Sequence, residues 1–302
     1  MSETVGVIGL GVLGSAIAAN LSTGGFDVVG CDVRAETLAE LQAQGVKPAA
    51  TPRELAERSD VVLLCLPSSD ALRAVIAGPD GLLQSPRSPQ IVIESSTFAI
   101  ADKEWARDAL LDVGKTLLDV PVSGNRILAL RKQLTAFASG DEAACRRVEP
   151  VIMGYCRACH YVGEFGAGMK MKFCANILNL VHNSVAAEVM VLGMKSGLDP
   201  QLIHDVISGS GSSSSMFETR GALMARNDYH HEGMNFSVPL KDARLISAHA
   251  AGLLCPTPIY HAALQPYYAA VAQGHHDEDA AAVCAAMEQA ANCSRQTRRR
   301  PD

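Results

Sequence analysis

The chain has 302 residues, of which 48% are hydrophobic and 19% charged, and its formal net charge is −6. Such an apolar composition excludes general disorder, because it can bury a large core. The excess of acid argues against nucleic acid as a partner, since phosphate binding needs clustered Lys and Arg. At roughly 150 residues per domain we expect two domains.

The first half of the sequence predicts alternating strands and helices. Short, nearly continuous apolar runs predict strands at residues 5–8, 28–31, 61–66, 91–94, 116–120, 134–138 and 161–162. Helical patterns lie between them at residues 13–21, 35–44, 53–58, 71–76 and 101–111. Apolar strands that alternate with helices are typical of a Rossmann-type doubly wound α/β sheet, which we assign to residues 1–162.

The second half predicts helices only. A long helix over residues 170–195 opens it, and Asp199-Pro200 begins the next helix. A Ser/Gly loop at 208–215 precedes helices at 216–225, 240–251, 259–272 and 278–291. We therefore expect an all-α C-terminal domain over residues 163–302. Its basic tail, residues 295–302, is expected to be a solvated end, with a nucleic-acid arm as the less favoured alternative.

Cysteine usage and the N-terminus indicate the compartment. Nine cysteines at irregular spacing favour reduced thiols. The acidic start, Met1-Ser2-Glu3-Thr4, is unlike a signal peptide. Polar residues interrupt every window of about 18 residues, so we expect no membrane span and a cytoplasmic protein.

The first strand runs into a glycine turn, Gly9-Leu10-Gly11-Val12-Leu13-Gly14, and then into a helix. In a G-x-G-x-x-G turn the first glycine allows the tight bend, the second lets the backbone approach a pyrophosphate, and the third packs helix against strand. The pyrophosphate would lie on the helix N-terminus, where Val12 and Leu13 stand. The turn predicts a dinucleotide site.

Asp32 ends the second strand. An acid there accepts hydrogen bonds from the adenosine ribose and repels a 2′-phosphate, which favours NAD. Arg34 favours the alternative, NADP, because a guanidinium pairs with a 2′-phosphate.

The long helix carries a polar stripe. Lys172, Asn176, Asn179 and Asn183 share one face of it. Amides on an apolar helix predict a polar cleft, and the alternative is a solvent-facing stripe. A lysine facing a nicotinamide would stabilise the oxyanion left by hydride transfer and move the proton. Asn176 would orient the lysine or the substrate, and Lys170 is expected to be solvated.

Six segments in order resemble the β-hydroxyacid dehydrogenase family, which includes 3-hydroxyisobutyrate, L-threonate and 6-phosphogluconate dehydrogenases. The similarity covers residues 4 to 290. The segments are the glycine turn, Leu66-Pro67, Glu94-Ser95-Ser96-Thr97, Asp119-Val120-Pro121-Val122-Ser123-Gly124, the stretch from Gly163 to Asn176 that includes Lys172, and Lys241-Asp242.

The resemblance implies an NAD(P)-dependent 3-hydroxyacid dehydrogenase that forms homodimers or homotetramers. It implies that Lys172 is the catalytic acid/base, supported by Asn176, and that Ser123 and Gly124 bind the substrate carboxylate. Lys241 would close the site against cofactor and substrate. The remaining cofactor contacts would come from Leu66, Pro67, Ser96 and Thr97.

One departure from the family concerns the substrate. Asn125, Arg126 and Ile127 stand where the family has glycines. Asn125 or Arg126 is expected to read a further anion or hydroxyl on a small carboxylate resembling 3-hydroxyisobutyrate or threonate. Two alternatives stay open: a reductase of an aldehyde acid or imine, and a non-catalytic NAD(P)-binding protein.

Other tempting patterns are given structural interpretations. Cys156-Arg157-Ala158-Cys159-His160 matches a haem attachment motif, but we interpret its cysteines as core or surface thiols. The pairs His230-His231 and His275-His276 lack metal-ligand spacing. We expect no metal, and we interpret Asp102 and Asp108 as solvated.

Overall fold

The computed structural model describes residues 3–230 and 234–295. It divides into two compact units, one of residues up to Lys172 and one of residues from Phe173 onward. The predicted domain boundary at residue 163 stays a prediction. Strands of the first unit are β1 (Thr4–Ile8), β2 (Asp27–Cys31), β3 (Lys47–Pro48), β4 (Val61–Leu64), β5 (Gln90–Glu94), β6 (Lys115–Asp119), β7 (Val122–Ser123), β8 (Leu134–Ala138) and β9 (Cys156–Tyr161). Its helices are α1 (Val12–Thr23), α2 (Ala35–Gln42), α3 (Pro52–Arg58), α4 (Ser69–Ala77), α5 (Ile100–Leu111), α6 (Arg126–Leu130) and α7 (Glu142–Met153), with a 3-10 turn at Leu82–Gln84.

The six strands β1 to β6 form a parallel sheet in the order β3-β2-β1-β4-β5-β6. Both faces are covered, because alternate residues of a strand enter different cores: Val61 and Leu63 join one cluster, Val62 and Leu64 the other. The Rossmann-type prediction is confirmed. The strand order reverses between β1 and β4, where such sheets bind ligands.

The last three strands form a separate sheet, which the sequence did not separate from the parallel one. Strand β7 pairs antiparallel with β8, and β9 pairs parallel with β8. The predicted strand at 161–162 instead begins at Cys156. An isolated bridge joins Asp119, at the end of β6, to Ser139 just after β8.

The second unit is helical, as predicted. Helix α8 (Ala167–Lys195) starts in the first unit and continues into the second, followed by α9 (Pro200–Ile207), α10 (Ser215–Arg226), α11 (Ser237–Gly252), α12 (Pro258–Ala272), a 3-10 turn (Ala280–Ala282) and α13 (Val283–Ala290). The last helix begins later than predicted, because Asp279 caps the 3-10 turn by accepting from Ala281 N.

Within the described residues, α8 is long and apolar enough to cross a membrane by length and composition alone, a test that the core helix of a soluble protein also passes, so the expectation of no membrane span stays a prediction. The expectation for the C-terminal tail needs correction. Arg295 is not solvated: it donates to Met224 O at 2.8 Å and to Glu288 Oε1 at 2.5 Å. Residues 296–302 of the predicted tail lie outside the described residues.

Candidate active site

The sheet register brings four sequence motifs to one edge. The last residues of four strands, Ile8, Leu64, Glu94 and Asp119, are register partners in series. Each motif follows directly: the glycine turn after β1, Leu66-Pro67 after β4, Ser96-Thr97 after β5, and Ser123-Gly124 after β6. Because the strands are parallel, their carboxyl ends meet where doubly wound sheets bind ligands.

In the glycine turn, a side chain would clash at the first and third glycines but not at the second. Gly9 has φ +86°, and a Cβ there would lie 2.3 Å from Cys65 O. A Cβ on Gly14 would lie 1.9 Å from Gly9 O, whereas one on Gly11 would find Arg34 Nη2 as its nearest atom, at 4.0 Å. Packing therefore explains Gly9 and Gly14, but not Gly11.

The start of α1 fits a phosphate. Helix α1 begins at Val12, and no side chain among the described residues caps it. Free N–H groups at a helix N-terminus attract an anion. The open cradle at Gly11 and this uncapped helix start fit the pyrophosphate of a dinucleotide.

Asp32 secures this turn. Its carboxylate accepts from Leu10 N at 2.6 Å and from Arg34 N at 2.9 Å. The Arg34 guanidinium also pairs with Asp32, at 3.4 Å, while remaining half exposed. Asp32, which favours NAD, and Arg34, which favours NADP, thus form an ion pair beside the glycine turn.

The strand ends β4 and β5 are linked by hydrogen bonds. Leu66 N donates to Ser96 Oγ at 2.8 Å, and Ser96 N donates to Glu94 Oε1 at 2.9 Å. Ser96 is buried, Leu66 and Thr97 are partly buried, and Pro67 is exposed. These hydrogen bonds therefore link the loop after β4 to the loop after β5, and the two loops carry the predicted cofactor residues of these motifs.

The predicted carboxylate loop is tightly shaped. Gly124 has φ +134°, and a Cβ there would lie 2.5 Å from Leu134 Cδ2, so a larger residue does not fit. Ser123 is partly buried. Asn125 has a structural role that the sequence analysis missed: its Oδ1 accepts from Leu128 N at 3.1 Å and caps α6.

Helix α8 carries the predicted catalytic residues. Lys172 is 9% exposed, and Lys170 is exposed, as predicted. Asn176 Nδ2 donates to Asp242 Oδ2 at 2.8 Å, and Lys241 Nζ lies 3.4 Å from Asp242 Oδ1. Asp242 thus joins Asn176 and Lys241 within the second unit, a role that the sequence analysis did not assign.

The end of the polar stripe is not a cleft. Asn183 is fully buried, and its Nδ2 donates to Tyr267 OH at 2.7 Å and to Ala280 O at 2.9 Å. It holds the core of the second unit together. Neither the cleft nor the solvent-facing alternative describes Asn183.

Comparisons with known proteins decide the family. The family model described as the NAD binding domain of 6-phosphogluconate dehydrogenase matches residues 4–163, and the one described as NAD-binding of NADP-dependent 3-hydroxyisobutyrate dehydrogenase matches residues 166–287. L-threonate dehydrogenase of Cupriavidus necator is 34% identical over 284 residues, which cover 94% of this chain and 95% of that protein. The chain belongs to the β-hydroxyacid dehydrogenase family.

Other relatives agree with this assignment. The 2-(hydroxymethyl)glutarate dehydrogenase of Eubacterium barkeri is 27% identical over 288 residues, covering 95% of this chain and 96% of its own. The crystal structure of 3-hydroxyisobutyrate dehydrogenase from Salmonella typhimurium gives a TM-score of 0.84 at 30% identity, covering 94% of this chain and 99% of that chain. As a β-hydroxyacid dehydrogenase, the protein is an NAD(P)-dependent oxidoreductase, as the resemblance implied.

This β-hydroxyacid dehydrogenase also contains a buried ion cluster that the sequence analysis missed. Lys103 Nζ lies 2.6 Å from Glu94 Oε2 and 2.7 Å from Asp119 Oδ1, and all three side chains are 0% exposed. The available signal was periodicity, because Lys103 shares the buried face of α5 with Ala106 and Leu110.

The cysteine motif lies on the strand that pairs with β8 in the smaller sheet. Cys156 and Cys159 lie on β9, and burial raises the pKa of both thiols, that of Cys159 to about 11. Thiols with raised pKa values are poor nucleophiles and metal ligands. The described residues contain no group of three or more His, Cys, Asp or Glu side chains suited to a metal ion.

The prediction for Asp102 is wrong. Asp102 is not merely solvated, because it accepts from Ser69 Oγ at 2.7 Å and pairs with Arg73 at 3.0 Å. His275 pairs with Glu278 at 2.8 Å. His231 lies outside the described residues.

Proposed function

We propose that the protein transfers a hydride between the hydroxyl-bearing carbon of a small 3-hydroxy acid and the nicotinamide of NAD, with NADP as the alternative. The observation that carries this proposal is that the carboxyl ends of β1, β4, β5 and β6 are register partners in series. It supports one binding edge for the cofactor and carboxylate motifs, and the helix bearing Lys172 is attached to the same strand ends through Asp119.

Lys172 is the proposed general acid/base. When bound, the nicotinamide supplies the hydride acceptor or donor. In the reductive direction the Lys172 ammonium stabilises the developing oxyanion and donates its proton, and in the oxidative direction the neutral amine accepts the alcohol proton. Asn176 orients the reacting groups, and Lys241 contacts cofactor and substrate.

Ser123 and Gly124 are the proposed carboxylate site. A hydroxyl and backbone N–H groups together suit an anion. Gly9, Gly11, Val12, Leu13, Gly14 and Asp32 would hold the adenosine and pyrophosphate, with Leu66, Pro67, Ser96 and Thr97 nearer the nicotinamide.

The substrate is proposed to carry a polar group beyond its carboxylate. Asn125 and Arg126 follow the carboxylate loop directly, and Asn125 is committed to capping α6. Arg126 is therefore the better candidate for reading a second anion or hydroxyl. Two relatives support this class, since they are named for threonate, a polyhydroxy acid, and for 2-(hydroxymethyl)glutarate, a dicarboxylate.

A substrate panel tests the proposal. L-threonate, 3-hydroxyisobutyrate and 2-(hydroxymethyl)glutarate are assayed with NAD and with NADP, in both directions. We expect oxidation of an acid with a second polar group to exceed that of 3-hydroxyisobutyrate, and Arg126→Met to reduce this preference. Turnover of none of these acids, or turnover restricted to aldehyde acids or imines, would overturn the proposal.

We also propose the compartment and the oligomeric state of the protein. We expect a cytoplasmic homodimer or homotetramer that acts on a small carboxylate. Light scattering coupled to size-exclusion chromatography should give two or four times 31.9 kDa. The mass of a single chain would contradict the oligomer.

A further inference from the structure

Two buried carboxylates stand side by side at the active edge. Glu94 and Asp119 are register partners on the neighbouring parallel strands β5 and β6, and both are 0% exposed. Two like charges in a buried site repel strongly, and each has lost its hydration. A buried cation between the two acids relieves this repulsion.

Lys103 supplies that cation. Its Nζ contacts one oxygen of each acid, at 2.6 and 2.7 Å. The two carboxylates raise the pKa of Lys103 despite its burial, so it stays protonated. Burial raises the pKa of Glu94 even with Lys103 present. The cluster holds one cation for two acids, which leaves a surplus of negative charge if both acids ionise.

The start of α8 offsets this surplus. Met169 N donates to Asp119 Oδ2 at 2.9 Å, and Gly168 N donates to Ser139 Oγ at 2.9 Å. Ser139 Oγ in turn donates to Asp119 Oδ2 at 3.2 Å. The positive end of a 29-residue helix thus rests on Asp119.

The helix start has little freedom to move. A Cβ on Gly168 would lie 2.5 Å from Phe137 O and 2.8 Å from Asp119 O, so α8 is packed directly onto backbone. Lys172 follows one helical turn after Gly168. Asp119 therefore determines where the backbone that carries Lys172 begins.

The other side of the cluster reaches the cofactor loops. Glu94 Oε1 accepts from Ser96 N at 2.9 Å, and Ser96 Oγ accepts from Leu66 N at 2.8 Å. Leu66 and Ser96 belong to the motifs proposed to contact the cofactor. Lys103 is the side chain that joins this chain of hydrogen bonds to the one that holds α8.

We infer that Lys103 is a positioning residue for hydride transfer: it holds Glu94 and Asp119 together and so fixes Lys172 relative to the loops after β4 and β5. The inference rests on the proposed function, because it assigns Lys172 the proton-transfer role. The Lys103 ammonium binds Glu94 and Asp119, so Lys103 acts through these acids and is not a catalytic residue.

The variant Lys103→Met tests this inference against a matched control. Lys115 is also buried, at the amino end of β6, where it donates to Ser85 O at 3.1 Å and to Arg87 O. Lys115→Met therefore removes a buried lysine from the opposite end of the same strand. A third variant, Glu94→Gln with Lys103→Met, removes one charge of each sign and protects the test against simple misfolding.

Four readouts distinguish positioning from stability. We expect Lys103→Met to lower kcat about 100-fold, with a smaller change in KM, and to make the primary deuterium isotope effect more temperature-dependent. Amide exchange of the peptide containing Gly168 and Met169 should become faster. The double variant should recover melting temperature but not kcat, and Lys115→Met should lose melting temperature but keep kcat.

The outcomes separate this inference from the proposed function. Equal loss of kcat in both lysine variants, or recovery of kcat by the double variant, would show a role in stability alone and overturn the inference. If the wild-type protein oxidises no hydroxy acid, the proposed function fails, but the exchange measurement still decides whether Lys103 holds the start of α8.

Discussion

Asp32 combines a structural and a recognition role in one carboxylate. It accepts from Leu10 N and pairs with Arg34 beside the glycine turn. Asp32→Asn keeps an acceptor oxygen for Leu10 but removes the charge. We expect NAD to bind about tenfold more weakly, or about 1.4 kcal/mol, while NADP binding improves because its 2′-phosphate is no longer repelled.

Arg34→Ala is the matched control for this cofactor prediction. It should weaken NADP binding and leave NAD nearly unchanged, because of the two cofactors only NADP has a 2′-phosphate with which the Arg34 side chain can pair. Titration of both cofactors by protein fluorescence measures the effect. The same shift for NAD and NADP in the Asp32 variant would contradict the recognition role.

Lys103 also predicts a pH dependence of stability. Burial raises the pKa of Glu94 even with Lys103 present, and without this cation the pKa of Glu94 should rise further above its unfolded value. Between the unfolded pKa and the raised folded pKa, the folded state binds more protons than the unfolded state. The free energy of unfolding therefore falls as pH increases through this range, by up to about 1.4 kcal/mol per pH unit for one proton. Urea unfolding at about pH 5.5 and about pH 8 should show a steeper fall in Lys103→Met than in wild type. Equal slopes would contradict this.

Individual residues were predictable where local pattern defines them. The glycine turn is recognisable from sequence because each of its three glycines allows a backbone conformation or close approach that a larger residue would prevent. Lys103 was not identified as buried, although helical periodicity places it on an apolar face, because its partners are brought to it only by the register of β5 and β6. Asp242 was missed for the same reason, since its contact with Asn176 joins two distant helices.

At the scale of elements, α8 uses one polar stripe for two purposes. Asn183→Ala should remove the buried hydrogen bonds to Tyr267 OH and to Ala280 O and lower the free energy of unfolding by roughly 1–3 kcal/mol, with kcat retained. Asn176→Ala, on the same helix, should lower kcat and change the free energy of unfolding less than Asn183→Ala does. Denaturant unfolding and steady-state kinetics of the two variants measure this contrast. A loss of kcat in Asn183→Ala at full stability would place it in the catalytic site instead.

Most long elements with clear periodicity were predictable, but the 12-residue helix α7 was not predicted, and neither were the shortest elements. The parallel strands and α8 follow from apolar runs and helical spacing. Strands β3 and β7 have two residues each and follow from their partners rather than from a pattern. Strand β9 was placed too late because its sequence, Cys-Arg-Ala-Cys-His-Tyr, is only partly apolar.

At the scale of the whole molecule, thiol reactivity provides a check of the fold. All nine cysteines are free, and Cys174 and Cys255 are exposed, whereas Cys31, Cys145, Cys156 and Cys284 are buried. Burial raises the pKa of Cys31 to about 11 and that of Cys145 to about 12. An aromatic disulfide reagent at neutral pH should therefore modify Cys174 and Cys255 first, and the four buried thiols only after denaturation. Rapid modification of Cys156 in the native protein would contradict this fold.

We propose that Lys172 moves the proton in hydride transfer, and the variant Lys172→Ala tests this claim directly. The purified variant should bind NADH as wild type does, measured by cofactor fluorescence, while single-turnover oxidation of the substrate identified by the panel falls by at least about 100-fold. Lys170→Ala, which changes the exposed lysine two positions earlier, should leave both measurements unchanged. Turnover near the wild-type rate in Lys172→Ala would contradict the claim.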